Sequence, residues 1–174
     1  MYCLIGAEAA IFTIFVVAYL FYIGKSLSGP KPKDVLHPPL FFTVCLLASS
    51  LTVHTAVRRL LAGKTAAFAL CWLLTIVLGG AFLYGTGREW TRLILQDGLT
   101  VSTNLFGTTY YSLVGLHAFH VAMGLLGLIT AALFYLTARL RREHVGRLEV
   151  LSLYWHFVDA VWVVVFVVVY VIGV

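Results

Sequence analysis

The segment from Glu149 to Val163, EVLSLYWHFVDAVWV, places an acid, a histidine and two tryptophans inside an otherwise apolar run. That run, about residues 150–173, is long enough to cross about 30 Å of hydrocarbon at about 1.5 Å per helical residue. An ionisable side chain in hydrocarbon costs about 2.5–3.5 kcal/mol even on the insertion scales. His156 and Asp159 therefore each need a partner or a function within the membrane.

The composition indicates the same class of protein for the whole chain. Of its 174 residues, 61% are hydrophobic and only 11% are charged. A soluble domain of this size needs a more polar surface, and the alternation typical of membrane barrels is absent. The sequence therefore predicts an all-α, polytopic membrane protein. A cleaved signal peptide is not expected, because the chain enters a long apolar segment almost at Met1.

Five apolar runs predict a bundle of five transmembrane helices in a single domain over residues 1–174. Their approximate ranges are 4–24, 40–60, 66–86, 108–137 and 150–173, and the third run has the composition to continue as helix towards Leu95. The connection at Gly63-Lys64 is very short, so the second and third helices are predicted to be antiparallel neighbours. Three single cysteines are predicted to be small packing residues: Cys3, Cys45 and Cys71.

The basic residues predict the orientation of the bundle. With five spans, the loops on the N-terminal side carry seven basic residues: Arg58, Arg59, Lys64, Arg139, Arg141, Arg142 and Arg147. The opposite side carries five: Lys25, Lys31, Lys33, Arg88 and Arg92. Because positive charge in short loops favours the cytoplasmic side, the N-terminus is predicted to be cytoplasmic and the C-terminus to lie on the outer, periplasmic side. The positive charge near helix ends indicates anionic lipid headgroups rather than nucleic acid.

Each predicted helix has one face that carries polar side chains. The fourth helix has His117 and His120 on a stripe with Gly124, at alternating spacings of three and four residues. Helix five has a matching stripe with His156 and Asp159. The other helices contribute one or two polar residues each: Glu8 on the first, Ser50 and His54 on the second, and Glu89 on the third.

The histidines have two interpretations, interhelical hydrogen bonding or ligation of haem or a metal. A b-type haem needs two histidines that face each other at one depth, whereas His120 and His156 lie roughly 10 Å apart in depth when counted from the helix midpoints. No cysteine or acid on the stripe of His117 completes a metal site. The pattern favours the structural role and predicts that this chain binds no metal or haem. It also has no nucleophile–base pair and no phosphate loop, so no catalytic residue is expected.

Two acids have candidate roles. Asp159 lies near the depth of His120, so a charge-assisted hydrogen bond between the fourth and fifth helices is expected; the alternative is a tyrosine or tryptophan donor such as Trp155 or Trp162. For Glu8, two interpretations remain open: a carboxyl that hydrocarbon keeps neutral, or a member of a proton path or lipid-contact site.

Several motifs resemble subunit III of the haem-copper terminal oxidases. The most specific are FGTTYY at 106–111, GLHAFHV at 115–121 and YWHFVDAVW at 154–162. Weaker similarities are GAEAAIF at 6–12, LASS at 47–50 and Glu89-Trp90. The resemblance spans essentially the whole chain. It implies a subunit without a redox centre, which packs against oxidase subunit I, beside subunit II, in a bacterial plasma membrane.

The resemblance also implies roles for single residues. Glu8 matches the family's intramembrane glutamate, which implies proton uptake or lipid contact. The other polar residues are expected to form an interhelical network: His117, His120, His156, Asp159, Trp155, Trp162 and Glu89. Haem and copper are expected in the partner subunits, and phospholipid is expected to bind this one, while the complex reduces O2 and pumps protons.

The sequence departs from the longer family members, which have seven helices; it begins where their third helix starts. The family that it resembles includes five-helix members, in some of which the catalytic subunit supplies the missing pair; whether a partner supplies it here stays open from the sequence. His54 also stands where an aromatic or aliphatic residue is expected. Two alternatives stay open from the sequence: an accessory subunit of a nitric oxide reductase cluster, and a stand-alone b-type cytochrome.

Overall fold

A computed structural model describes residues 2–25, 29–30, 32–137 and 145–173. Within these residues the structure is helical and contains no strand. In chain order the helices are α1 (Tyr2–Tyr22), α2 (Pro32–Val35), α3 (Leu40–Leu61), α4 (Thr65–Leu95), α5 (Leu105–Leu136) and α6 (Val145–Phe166). A π-helical segment, Val167–Ile172, continues α6. All but α2 are long and apolar enough to cross a membrane, which confirms the prediction of five spanning helices.

Three helices extend beyond the bounds that were predicted for them. Helix α4 continues to Leu95, the extension that the sequence allowed. Helices α5 and α6 begin at Leu105 and Val145, three and five residues before the predicted starts at 108 and 150. Hydropathy marks where hydrocarbon ends, whereas a helix can continue through the headgroup region with its backbone bonds intact. The π-helical end of α6 was not predicted.

The turn between α3 and α4 confirms the short connection predicted there. Gly63 has a φ of 74°, and the backbone N–H of Lys64 donates to the carbonyl of Arg59 at 2.9 Å. The N–H of Gly63 donates to the carbonyl of Leu60 at 3.0 Å. These two bonds satisfy carbonyls at the end of α3, and the left-handed backbone at Gly63 favours a residue without a Cβ.

The chain divides into two compact units. The first comprises Met1–Pro39, Gly85–Phe119 and Ala160–Val174. Its largest buried side chains include Tyr19, Tyr110 and Trp162. The second unit comprises Leu40–Tyr84 and His120–Asp159, and its largest buried side chains are Trp72, Trp155 and Phe68. The single domain predicted over 1–174 stays a prediction.

Two other predictions have different outcomes. All three cysteines are free, but Cys3 is exposed, so the prediction that it packs inside the chain is wrong. An apolar thiol on an outward helix face is as compatible with lipid as any aliphatic side chain. Four of the basic residues used for the orientation lie outside the described residues: Lys31, Arg139, Arg141 and Arg142. The orientation stays a prediction.

Candidate functional site

In the second unit, α3 and α6 are joined by a hydrogen-bonded chain of three side chains. The hydroxyl of Ser50 donates to Oδ2 of Asp159, and it lies 3.0 Å from Nδ1 of His156. Because a serine hydroxyl has one proton, Ser50 accepts from His156 when it donates to Asp159. The order of donation is therefore His156 to Ser50 to Asp159, and it places the imidazole proton on Nδ1. Asp159 is 3% exposed, so its charge or proton is held away from solvent.

This chain differs from the partners that the sequence suggested. The hydrogen bond found for Asp159 comes from Ser50 on α3, although α5 was expected to supply its partner. The alternative donor Trp155 is wrong, because its indole N–H donates to Oγ of Ser49 at 2.8 Å. Periodicity assigned Ser50 to the inner face of its helix but could not reveal which helix that face meets.

Trp155 occupies a space made by two glycines of the second unit. A Cβ added at Gly79 would lie 2.8 Å from the Trp155 ring, and one added at Gly124 would lie 2.8 Å from another edge of it. The indole is fully buried. Absence of a side chain at Gly79 on α4 and Gly124 on α5 therefore lets both backbones approach the indole of α6 closely.

The other two histidines that the structure describes in the second unit have different surroundings. His120 is buried, and its backbone carbonyl accepts a hydrogen bond from the Tyr154 hydroxyl at 3.3 Å, which joins α5 to α6. His54 is exposed, with its ring 6.2 Å from that of His156. None of the described residues hydrogen-bonds to His54.

In the first unit, Glu89 is the end of a second chain of hydrogen bonds. The hydroxyl of Tyr170 lies 2.9 Å from each carboxyl oxygen of Glu89 and 3.4 Å from the hydroxyl of Tyr110. Because Tyr170 donates its one proton to the carboxyl, it accepts from Tyr110. This chain joins α4, α5 and the π-helical segment. Nothing in the sequence indicated the bond from Tyr170 to Glu89.

Aromatic stacking places the other predicted residues of the first unit. The ring of His117 stacks on Trp162 at 4.9 Å between centroids with an angle of 30°, and Phe12 of α1 lies 6.4 Å from the same imidazole. His117 and Trp162 therefore join α5 to α6, as a structural role requires. Glu8 is half-buried on α1. Its role in proton uptake or lipid contact stays a prediction.

A cavity of about 220 Å³ lies at one end of the first unit. Its lining comes from the end of α1 and the residues just after it, from α2, from the start of α5, and from Gly173, which follows the π-helical segment. The lining residues are Tyr19, Tyr22, Ile23, Gly24, Pro32, Lys33, Phe106, Thr109 and Gly173. The hydroxyl of Tyr19 is buried without a hydrogen-bond partner among the described residues. Lys33 is exposed. The cavity combines apolar walls with three hydroxyl groups, those of Tyr19, Tyr22 and Thr109, and with the ammonium group of Lys33.

The geometry offers no evident metal centre in the part of the chain that the structure describes, since no three His, Cys, Asp or Glu side chains are grouped to hold an ion there. What it does contain is two chains of hydrogen bonds that end on carboxyl groups, those of half-buried Glu89 and buried Asp159. The structure thus defines a polytopic helical membrane protein whose intramembrane polar side chains join its own helices.

Comparison with known proteins identifies the family. The sequence model of the family described as Cytochrome c oxidase subunit III matches residues 7–174. Cytochrome c oxidase subunit 3 of Alkalihalophilus pseudofirmus is 36% identical over 172 residues, which cover 98% of this chain and 84% of the relative. Cytochrome bo(3) ubiquinol oxidase subunit 3 of Pseudomonas aeruginosa is 34% identical over 169 residues, covering 95% of this chain and 80% of the relative. Against cytochrome c oxidase subunit 3 of Arabidopsis thaliana, 35% identity covers 81% of this chain but 53% of the relative.

The chain belongs to the cytochrome c oxidase subunit III family. It is a multi-pass membrane subunit of a haem-copper or quinol oxidase complex, in respiratory electron transport. These matches confirm the resemblance seen in the sequence motifs. They favour neither a nitric oxide reductase accessory subunit nor a stand-alone b-type cytochrome.

Proposed function

We propose that this chain is a non-catalytic subunit III that packs against subunit I of a terminal oxidase, beside subunit II, and holds no redox centre. Haem and copper belong to the partner subunits. One observation carries the proposal: the polar groups of His156, Asp159 and Glu89 are engaged in hydrogen bonds inside the chain, where they join helices. Side chains engaged in this way stabilise a scaffold, and that is the role expected of an accessory subunit.

The test is the composition of the native particle. The tagged chain is extracted from its own membrane in mild detergent, and the particle is analysed by intact mass spectrometry and by its visible spectrum. We expect subunits I and II in one complex, with all haem absorbance assigned to subunit I. A tagged chain that purifies alone, or a Soret band that stays with the isolated polypeptide, would contradict the proposal.

The location and orientation follow from the same proposal. The chain lies in the bacterial plasma membrane with its N-terminus in the cytoplasm. Support comes from the short turn between α3 and α4, which carries Lys64, and from Arg58 and Arg59 at the end of α3. Positive charge in so short a connection favours the cytoplasmic side.

Phospholipid binding is the second part of the proposal. The cavity near Tyr19 lies where the spans of α1 and α5 and the π-helical segment end, at the depth of lipid headgroups. Lys33 supplies positive charge for a phosphate, the Tyr19 hydroxyl supplies a donor, and the apolar walls suit acyl chains. Mass spectrometry of the intact particle also counts the phospholipids that it retains.

Glu8 is proposed to support proton uptake into the complex. Its carboxyl is half-buried on α1, where an ionisable group has a functional role by default. Replacing Glu8→Gln removes the exchangeable carboxyl proton but keeps the size and polarity of the side chain. We expect purified complex with this substitution to lose O2 consumption progressively during sustained turnover, while its haem content stays unchanged.

The matched control is Glu149→Gln. Glu149 is exposed and lies in the first turns of α6, far from the middle of the span. That substitution should leave the time course of O2 consumption unchanged. If Glu8→Gln instead depletes haem, or if the two substitutions behave alike, Glu8 has no role in proton uptake.

A further inference from the structure

Four oxidisable side chains of the first unit form a continuous series. The ring centroid of Trp90 lies 5.4 Å from that of Tyr111, which lies 5.2 Å from that of Tyr110. The hydroxyl of Tyr110 is in turn 3.4 Å from the hydroxyl of Tyr170. Tryptophan and tyrosine are the aromatic side chains that lose a single electron most readily, and rings in contact exchange an electron easily. The series is therefore a path along which one electron can move.

The two ends of the series differ in exposure. Trp90 is half-buried, so part of its indole lies at the surface of the described structure. Tyr110 and Tyr111 are buried, and Tyr170 is only 5% exposed. An oxidant outside the chain therefore meets the series at Trp90, whereas Tyr170 is shielded from solvent.

Only a base beside the phenol lets a tyrosine keep the loss of an electron, because an oxidised phenol must give up its proton. The hydroxyl of Tyr170 lies 2.9 Å from each carboxyl oxygen of Glu89, which can accept that proton. The hydroxyl of Tyr111 donates instead to the backbone carbonyl of Leu99 at 2.8 Å, and a carbonyl does not hold a proton. The geometry therefore favours a neutral radical on Tyr170 over one on Tyr111.

We propose that Tyr170 is a redox-active tyrosine, with Glu89 as its proton acceptor, and that it removes radical oxygen species which reach Trp90. The chain is a subunit of an oxidase complex, in which incomplete reduction of O2 yields the hydroperoxyl radical. Trp90 gives one electron to that radical, which takes a proton from solvent and becomes hydrogen peroxide. Through Tyr111 and Tyr110, one electron from Tyr170 refills the indole. The O–H bond of Tyr170 breaks, and its proton moves to the carboxylate of Glu89.

The return step restores both side chains. A quinol of the membrane gives one electron to the radical of Tyr170, releases a proton and becomes a semiquinone. Glu89 gives its proton back to the phenolic oxygen. Tyr170 is a side chain beside the oxidase reaction and binds no cofactor, so haem and copper remain assigned to the partner subunits. The inference does not depend on which subunit this chain contacts.

Electron paramagnetic resonance of the purified complex tests the radical. The complex is oxidised with photogenerated ruthenium(III) tris-bipyridine, a one-electron oxidant, and is frozen at once. We expect a tyrosyl signal that narrows when the tyrosines are ring-deuterated, and part of it should be lost in Tyr170→Phe. Radicals of the other subunits give the same background in every variant. A signal of wild-type intensity in Tyr170→Phe overturns the inference.

Glu89→Gln separates proton transfer from packing. The amide keeps the size of the side chain and an oxygen that accepts from Tyr170, but it cannot take the proton. We expect the same loss of signal as in Tyr170→Phe, with the chain still retained in the complex by mass spectrometry. A wild-type signal in Glu89→Gln would show that the carboxylate does not accept the proton, and it would overturn the inference.

Two further substitutions test the path. Trp90→Phe keeps an aromatic ring at the surface but is hard to oxidise, so it should also lose the signal of Tyr170. The matched control is Tyr84→Phe, which removes an exposed tyrosine of α4 outside the series and should leave the signal unchanged. Equal loss in Tyr84→Phe and Tyr170→Phe, or an unchanged signal in Trp90→Phe, contradicts the path.

Discussion

The carboxyl groups of half-buried Glu89 and buried Asp159 accept from hydrogen-bond chains of the same length but different chemistry. In the first unit, two phenols lead to Glu89, and the hydroxyl of Tyr170 lies 2.9 Å from both carboxyl oxygens. In the second unit, an imidazole and a serine lead to Asp159, and only Oδ2 accepts a hydrogen bond. Oδ1 of Asp159 is buried without a partner among the described residues.

Two tryptophans repeat the contrast in packing. In the second unit, the ring of Trp155 lies so close to Gly79 and Gly124 that a Cβ at either would meet it at 2.8 Å, and its indole N–H is bonded to Ser49. In the first unit, a Cβ at Gly115 would lie 3.5 Å from Trp90, an ordinary contact. The indole N–H of Trp90 has no partner among the described residues.

The difference indicates that the two units are stabilised in different ways. The phenol chain of the first unit joins three helical segments through hydrogen bonds. The serine chain of the second unit joins only α3 and α6, and close packing around one indole joins α4 and α5 to α6. Hydrogen bonds between membrane helices are modest, about 0.6 kcal/mol on average, so we expect the packed indole to contribute more.

The largest effect is expected from Trp155→Ala. Removal of a fully buried tryptophan leaves a cavity between helices and takes away the N–H that donates to Oγ of Ser49, and such substitutions cost about 3–5 kcal/mol. The chain should be nearly absent from the purified complex, or be lost from it at a much lower temperature. Thermal dissociation of the complex, followed by the amount of this chain retained, measures the effect.

Trp90→Ala is the control for this prediction. Its ring is only half-buried and its N–H is unbonded within the described residues, so the loss should be clearly smaller. Equal losses of stability for the two substitutions would show that tight packing around Trp155 stabilises the chain no more than the looser packing around Trp90. The two units would then not differ in how they are stabilised.

An intermediate effect is expected from Tyr170→Phe. The substitution keeps the aromatic ring but removes the donor that lies 2.9 Å from both oxygens of Glu89. A buried acceptor that loses its donor costs about 1–3 kcal/mol. The same thermal dissociation of the purified complex provides the measurement.

Tyr110→Phe supplies the comparison within the same chain of hydrogen bonds. It removes a contact of 3.4 Å between two hydroxyls, which is longer and weaker than the bond to Glu89. The expected loss is about 0.5 kcal/mol. If Tyr110→Phe is the more damaging of the two, the order of donation from Tyr110 to Tyr170 to Glu89 is wrong.

Hydropathy and periodicity explain why so much of the fold could be predicted. Each span must bury about 20 apolar residues, and each polar side chain must face protein rather than lipid. Those two requirements identify the five helices and place His117, His156 and Asp159 on inner faces. The short turn at Gly63 follows from the backbone chemistry of glycine.

The pairing of those faces could not be predicted, because it depends on how each helix is rotated against its neighbours. Nothing in the spacing of α6 indicates that Asp159 meets Ser50 rather than a residue of α5. The bond from Tyr170 to Glu89 could not be predicted for the same reason, since the spacing does not indicate which helix the side chain of Tyr170 meets.

Of the three test substitutions, Trp155→Ala, Tyr170→Phe and Gly79→Ala, the last is expected to have the smallest effect. Gly80→Ala, one residue further along the same helix, is its control. A methyl group at Gly79 would lie 2.8 Å from two atoms of Trp155 and 3.0 Å from Leu125, so the indole must shift. Such overpacking costs about 1–3 kcal/mol, while replacement of a helical glycine by alanine gains about 1 kcal/mol. The net loss should therefore be about 0–2 kcal/mol.

At Gly80 a Cβ would meet nothing within 4 Å, so only the gain from helix propensity remains. We expect Gly80→Ala to dissociate from the complex at the same temperature as wild type or slightly above it, and Gly79→Ala below it. Since the two substitutions are identical in chemistry and adjacent in sequence, their difference isolates the contact with Trp155. No difference between them would mean that the indole can move without loss, and that packing does not distinguish the second unit from the first.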